Sequence, residues 1–186
     1  MATPALLVMD VQNGVVERFR DGSGPLLESL AAAVAAARKA SIPVIYVRVG
    51  FRDGAPEISP RNQIFSRLAG AGGMGETEPS TQVHPAVAPQ PGDILVTKKR
   101  VSAFAGSDLE MVLRSLGVDS LVLTGISTSG VVLSTLRQAA DLDYELTVLR
   151  DGCADADAEV HRVLLDKVFP RQAAVTTTAE WTASLG

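Results

Sequence analysis

The chain has 186 residues, of which 46% are hydrophobic and 20% charged, with a formal net charge of −4. That length suits residues 1–186 as a single domain with a sizeable core, at roughly 100–200 residues per domain, and the acidic balance without a basic stripe excludes a nucleic-acid binder. The only cysteine, Cys153, leaves no internal disulfide and fits a reducing, cytoplasmic compartment, and the first apolar run, ALLVM, is too short for a signal segment or a membrane span.

Six apolar runs of strand length follow in chain order: ALLVM at 5–9, PVIYVRV at 43–49, DILVT at 93–97, SLVLT at 120–124, ELTVL at 145–149 and QAAVTT at 172–177. Most are continuously apolar rather than alternating, as in strands buried on both faces of a parallel sheet. Between the first two, Leu26, Leu27, Leu30, Val34 and Ala37 share one helical face. Between the second and third lies the segment 50–92, rich in Gly and Pro, with RNQIFSRL as a short helix inside it. A connection that long in a compact domain is usually functional or disordered, and this one is expected to roof part of a site. Ser107-Asp108 reads as an N-cap region before LEMVLRSLG, which Gly117 closes. Thr128 to Leu142 and Ala156 to Phe169 read as two further helices, the second stopped by Pro170. Strands alternating with helices give βαβ units, hence an α/β three-layer sandwich with a central parallel six-stranded sheet.

Ligands in such sheets bind at the carboxyl ends of the strands, which draws attention to three places. Asp10 ends the first run. A carboxylate there loses water, its pKa rises unless a cation opposes the shift, and it suits acid or base work; a turn-forming or capping aspartate is the bland alternative. Lys98 and Lys99 follow the third run, and strand alternation sends them to opposite faces, so at most one lines a site; a solvated basic rim is the default for KKR. The fourth run leads through GISTSG into a helix, whose first N–H groups lack intrahelical acceptors and sit at the positive end of the dipole. Such a turn holds an anion or a developing oxyanion. It departs from the serine-hydrolase elbow G-x-S-x-G because Ser129 stands where the second glycine belongs, so Ser127 reads as structural.

No phosphate-loop signature exists, GSGP at 22–25 lacks a third glycine, and His84 and His161 have no partner at metal-ligand spacing. No cofactor and no metal are therefore expected. His161 reads as a residue of a helix surface and His84 as part of a proline-flanked loop. Cys153 follows the fifth run with only carboxylates near it, which raise a thiol pKa and make it a poor nucleophile.

LLVMDVQNG, VTKKRVSAF and LVLTGISTSGVVLST, with RQAADLDY behind, come in that order at the predicted strand ends. On these segments, spread over nearly the whole chain, it resembles the isochorismatase-like hydrolases, the superfamily that includes nicotinamidases and N-carbamoylsarcosine amidases. The resemblance implies that fold, and a triad of an aspartate after the first strand, a lysine shortly before an S-A-F-like segment, and a cysteine opening the helix after a G-x-x-T turn. The aspartate maps to Asp10 and the lysine to Lys98; the cysteine position, six after Gly125, holds Val131. The resemblance also implies a cis peptide near Ile126-Ser127 that aims an oxyanion hole formed by Ile126, Ser127 and Val131.

An isopropyl group has neither a lone pair nor an acidic proton, so a thiol-dependent acyl-enzyme route is closed at Val131. Valine is close to cysteine in size, and the cavity and its amides survive the exchange. Two expectations follow. In one, the chain is a hydrolase of a small carboxylate-bearing substrate. Isochorismatases of the superfamily also lack the cysteine and are understood to work through the aspartate, though they carry glycine where Val131 narrows the pocket. Asp10 is then the acid, Lys98 sets its pKa and grips the anion, and the turn amides hold a carboxylate or carbonyl. In the other, the fold is a silent ligand-binding or assembly module. Either way the partner is a small molecule, with no nucleic acid and no membrane, and the chain is expected to form a homo-oligomer, with Phe51 or Phe65 exposed at an interface.

Overall fold

The computed structural model describes residues 2–186. Six parallel strands, β1 (Pro4–Met9), β2 (Val44–Val49), β3 (Ile94–Lys98), β4 (Ser120–Ile126), β5 (Glu145–Ala154) and β6 (Ala174–Thr176), form one sheet in the order β3-β2-β1-β4-β5-β6. All five pairings are parallel. Chain order reverses direction between β1 and β4, which makes their carboxyl ends the switch point where such sheets open a crevice.

Alternation along the strands sends each apolar run into two cores. Ala5, Leu7 and Met9 of β1 pack with Ile45, Val96, Leu121 and Val148 against one helical layer. That layer is built from α4 (Leu109–Ser115), α5 (Leu133–Asp141) and the α6 (Ala158–Val163) segment. Leu6 and Val8 point the other way, with Val44, Tyr46 and Val122, against α2 (Ser23–Lys39) and Trp181 of α7 (Thr178–Ala183). β1 is therefore apolar at consecutive positions because neither face meets water, and burying each such side chain contributes about 1.5–3 kcal/mol. The three-layer sandwich inferred from the strand runs is the observed one.

The boundaries differ in instructive ways. Ser107 Oγ, not Asp108, accepts from Leu109 N at 3.2 Å at the start of α4, and Gly117 closes that helix at φ 65°. The expected helix 128–142 begins as a π-turn over Thr128–Val132 before α5. Asp157 caps α6 by accepting from Glu159 N and Val160 N, and the helix then widens to a π-turn, Leu164–Val168. Pro170 sits inside a closing 3-10 turn, Phe169–Arg171, because proline is tolerated at a first turn, where its missing N–H has no acceptor to lose. β5 runs past the end of ELTVL. Its pairing with β4 slips between Leu123 and Gly125 and resumes with Gly125 opposite Cys153, so Cys153 lies within the strand rather than after it.

The segment 50–92 holds α3 (Gln63–Ala71), capped by Asn62, whose side chain accepts from Phe65 N at 3.1 Å. Phe51 and Phe65 meet edge to face at 5.5 Å and are 1% and 4% exposed. The expectation that either ring is free for an interface is thus overturned: they form a small third core with Val49 that anchors the segment to the sheet. Among the described residues no helix is long and apolar enough to cross a membrane.

Candidate active site

A cavity of about 430 Å³ opens over the carboxyl ends of β1, β3 and β4. Asp10, Lys98, Ile126, Ser127 and Val131, drawn from three strand ends, all line it. Segment 50–92 closes its other side with Phe65, Leu68, Met74 and Thr81, as expected of a roof. The short helix α1 (Asn13–Val16) and the turn after it add Gly14, Val15, Arg18 and Phe19. The volume lies within the about 300–1,000 Å³ usual for small-molecule sites.

Asp10 leaves β1 at φ 56°, a left-handed conformation uncommon for a side chain other than glycine and enriched where a site over-determines the backbone. Its N–H donates to Val47 O at 2.8 Å, which ties that turn to β2. The carboxylate oxygen Oδ2 lies 2.9 Å from Lys98 Nζ, and both side chains are nearly out of water. Lys98 also donates to Arg100 O at 2.8 Å. The other carboxylate oxygen, Oδ1, is buried with no hydrogen-bond partner. Burial pushes the Asp10 carboxyl above the usual aspartate range, and the attraction and hydrogen bond of Lys98 only partly restrain it. Lys99 turns to the opposite face, where it donates to Gly50 O at 2.6 Å and pairs with Glu76, so only one lysine of KKR serves the cavity.

The β4 end makes the second half of the site. Gly125 has φ 143°, and a Cβ there stands 2.2 Å from Met9 O, so no other residue fits between β1 and β4 at that level. The Ile126-Ser127 peptide is cis. Ser127 O accepts from Gly130 N and Val132 N, which tightens the turn. Val131 is 2% exposed, with one side toward the cavity and the other in the core. Ahead of it, Ala103 N donates to Thr135 Oγ1 at 2.9 Å, which fastens the SAF segment after Lys98 to α5.

Of the turn's amides, the Ser129 N–H is given to Asp155 Oδ2 at 2.7 Å. His161 is half-buried on its helix rather than free in solvent: its Nδ1 is 2.8 Å from Thr128 Oγ1, and burial holds its pKa below the usual histidine value. His84 stays a loop residue whose Nδ1 accepts from Ala86 N at 3.2 Å. Cys153 lines a neighbouring cavity instead, and burial pushes its thiol up to about 12.

Gln12 escaped the sequence reading. It is 1% exposed, donates to Val49 O and Thr81 O at 2.8 Å each, and accepts from Val49 N at 3.0 Å. One amide therefore clips the roof segment to the sheet two residues from Asp10. A side-chain amide carries one acceptor and two donors, so this buried glutamine satisfies a strand's N–H and C=O and still reaches a third group.

Residues 4–180 match the isochorismatase domain family. Isochorismatase family protein YwoC of Bacillus subtilis is 34% identical over 178 residues, covering 95% of this chain and 91% of that protein. Ureidoacrylate amidohydrolase RutB of Methylobacterium radiotolerans is 34% identical over 207 residues, covering 100% of this chain and 80% of the relative. Among solved structures, a cysteine hydrolase from Pseudomonas syringae pv. phaseolicola superimposes with a TM-score of 0.90 at 26% identity, covering 98% of this chain and 92% of that one.

Proposed function

The chain belongs to the isochorismatase family of hydrolases, and from that premise we propose that it hydrolyses a small carboxylate-bearing substrate without a covalent intermediate, through Asp10. The observation that carries the reading is the state of that carboxyl. It is buried on the cavity wall, held by Lys98 on Oδ2, unpartnered on Oδ1 and shifted toward its protonated form. A carboxyl with a raised pKa keeps its proton at higher pH than an aspartate in water does, and so has one to donate more of the time.

In the proposed step the Asp10 carboxyl donates its proton to the group beside the scissile bond. Protonation leaves the adjacent carbon electron-poor, water adds to it and returns a proton to Asp10, and the tetrahedral adduct then collapses with cleavage of the scissile bond, the leaving group taking a proton from the adduct's new hydroxyl or keeping the one first donated. Lys98 holds the carboxylate in the interval, when Asp10 is charged. Val131 offers no electron pair, so water is the nucleophile. The turn after β4 forms the wall next to Asp10, and Gln12 keeps the roof in place. RutB of Methylobacterium radiotolerans, named as a ureidoacrylate amidohydrolase, makes linear amides and ureido acids sensible first substrates beside vinyl ethers.

The experiment is turnover of a panel of vinyl ethers, amides and ureido acids by the unaltered chain and by Asp10→Asn. A loss of at least about a hundredfold is expected, the lower end of what a positioned proton donor supplies. Equal rates for the two proteins, or no turnover of any member, refute the reading and leave the cavity as a binding site.

A further inference from the structure

An anionic substrate needs a counter-charge, and Lys98, first expected to supply it, is engaged, as is one amide of the β4 turn. Lys98 is 2% exposed and gives its ammonium to Asp10 and to Arg100 O. At the β4 turn, the Ser129 N–H belongs to Asp155. Three further polar side chains on the wall are similarly spent. Gln12 donates to Val49 O and Thr81 O, Thr81 Oγ1 to Gly75 O and Glu78 O, and Ser80 Oγ to Gly73 O.

One cation on the wall has no such commitment. Arg18, in the 3-10 turn Glu17–Gly22, lines the cavity, is exposed, and makes no ion pair or hydrogen bond among the described residues. Phe19, Ile64 and Phe65 share the wall with it and offer apolar surface to the rest of a ligand held there. A guanidinium presents a planar fork that matches a carboxylate with two parallel hydrogen bonds. A single free positive charge suits a monoanion rather than a phosphate dianion.

We propose that Arg18 anchors the carboxylate of a small monoanionic ligand whose reactive end then lies at Asp10. The first half stands on the wall's charge inventory alone; only the placement of the reactive end rests on the acid role of Asp10. Lys98 is thereby relieved of the anion-gripping task and keeps the one its geometry supports, holding Asp10.

Binding is measured by isothermal titration calorimetry with benzoate, crotonate and phenylacetate, each against its primary amide. The unaltered chain is compared with Asp10→Asn, which holds an amide without consuming it, and with Arg18→Gln and Arg18→Lys. At least one acid is expected to bind roughly tenfold tighter than its amide, and Arg18→Gln to weaken that acid roughly ten- to a hundredfold while the amide stays within about twofold. Arg18→Lys recovers part of the difference, since it restores the charge without the fork. Because Arg18 is exposed, its variants keep the melting temperature of the unaltered chain.

The proposal is overturned by acid affinity unchanged in Arg18→Gln, by no preference for any acid over its amide, by no binding of any pair, or by inorganic phosphate displacing every acid. The two readings fail separately. Turnover lost in Asp10→Asn with a silent Arg18→Gln removes the anchor alone, whereas acid preference lost in Arg18→Gln with Asp10→Asn fully active removes only the acid.

Discussion

Lys98→Met is the most searching perturbation of the site, because it separates what the ion pair does for the fold from what it does for chemistry. The substitution keeps the length of the stem and deletes a charge 2.9 Å from Asp10 Oδ2, where the lysine and aspartate side chains are 2% and 12% exposed. It also strands Arg100 O, which now accepts from Nζ at 2.8 Å. Removing one partner of a buried pair typically costs about 3–5 kcal/mol, since the other charge is left without compensation. At about 2–4 °C per kcal/mol for a chain of this size, the melting temperature falls by about 6–20 °C.

The loss depends on pH with a definite sign. Burial already raises the Asp10 pKa above its ordinary value of 3.8, and the charge of Lys98 opposes that rise. Without Lys98 the folded-state pKa moves higher still. The folded chain then binds a proton more tightly than the unfolded one, so stability is full below about pH 4 and declines as pH rises through the raised value. Thermal unfolding at several pH values between 4.5 and 8 is the assay, with the deficit of Lys98→Met growing toward pH 8. Adding Asp10→Leu removes the stranded carboxyl and is expected to recover most of the loss, because a buried pair replaced as a whole by apolar groups is often neutral. A shift under about 2 °C, or one equal at both ends of the pH range, refutes the account of a desolvated, mutually dependent pair.

Further outcomes follow from single residues. Val131→Cys places a thiol beside Asp10 and Lys98 in a position of matching volume; it is expected to cost under about 1.5 kcal/mol and to confer amide hydrolysis that iodoacetamide abolishes, measured by product release before and after alkylation. Gly125→Ala drives a methyl group into Met9 O, with 2.2 Å between them, and is expected to yield little folded protein by circular dichroism and solubility. Cys153, with its thiol pushed up to about 12 in a buried setting, is expected to resist alkylation at pH 7 until denaturant is added, as read by intact mass. His161, held below its ordinary pKa of 6.5 chiefly by burial, contributes stability above that pH that is lost as pH falls through its folded value; His161→Gln is expected to flatten the stability curve below pH 6.5 in thermal melts.

Much of the architecture was open to reading from the chain alone, for a definite physical reason. Runs such as ALLVM and SLVLT are apolar at consecutive positions, and only a strand covered on both faces requires that. Asp10 and Lys98 were likewise open to reading, since each ends or follows such a run at the carboxyl end of the sheet where ligands bind, whereas Val131 came from the family resemblance. The separation of Lys98 from Lys99 followed from the two-residue repeat of a strand.

What the third dimension decided were matters of contact between residues far apart in sequence. Nothing local says that Asp155 takes the Ser129 N–H, that Gln12 reaches Val49 and Thr81, or that Phe51 and Phe65 bury one another. The slip in pairing that draws Cys153 into β5 depends on a neighbouring strand, not on the residues of ELTVL. Periodicity and strand ends are properties of a few adjacent residues, so the sequence alone determined the layers and the places where chemistry collects. Which polar groups remain free there depends on hydrogen bonds closed over tens of residues, and only the folded chain leaves Arg18 uncommitted among the described residues on a cavity wall it shares with Asp10.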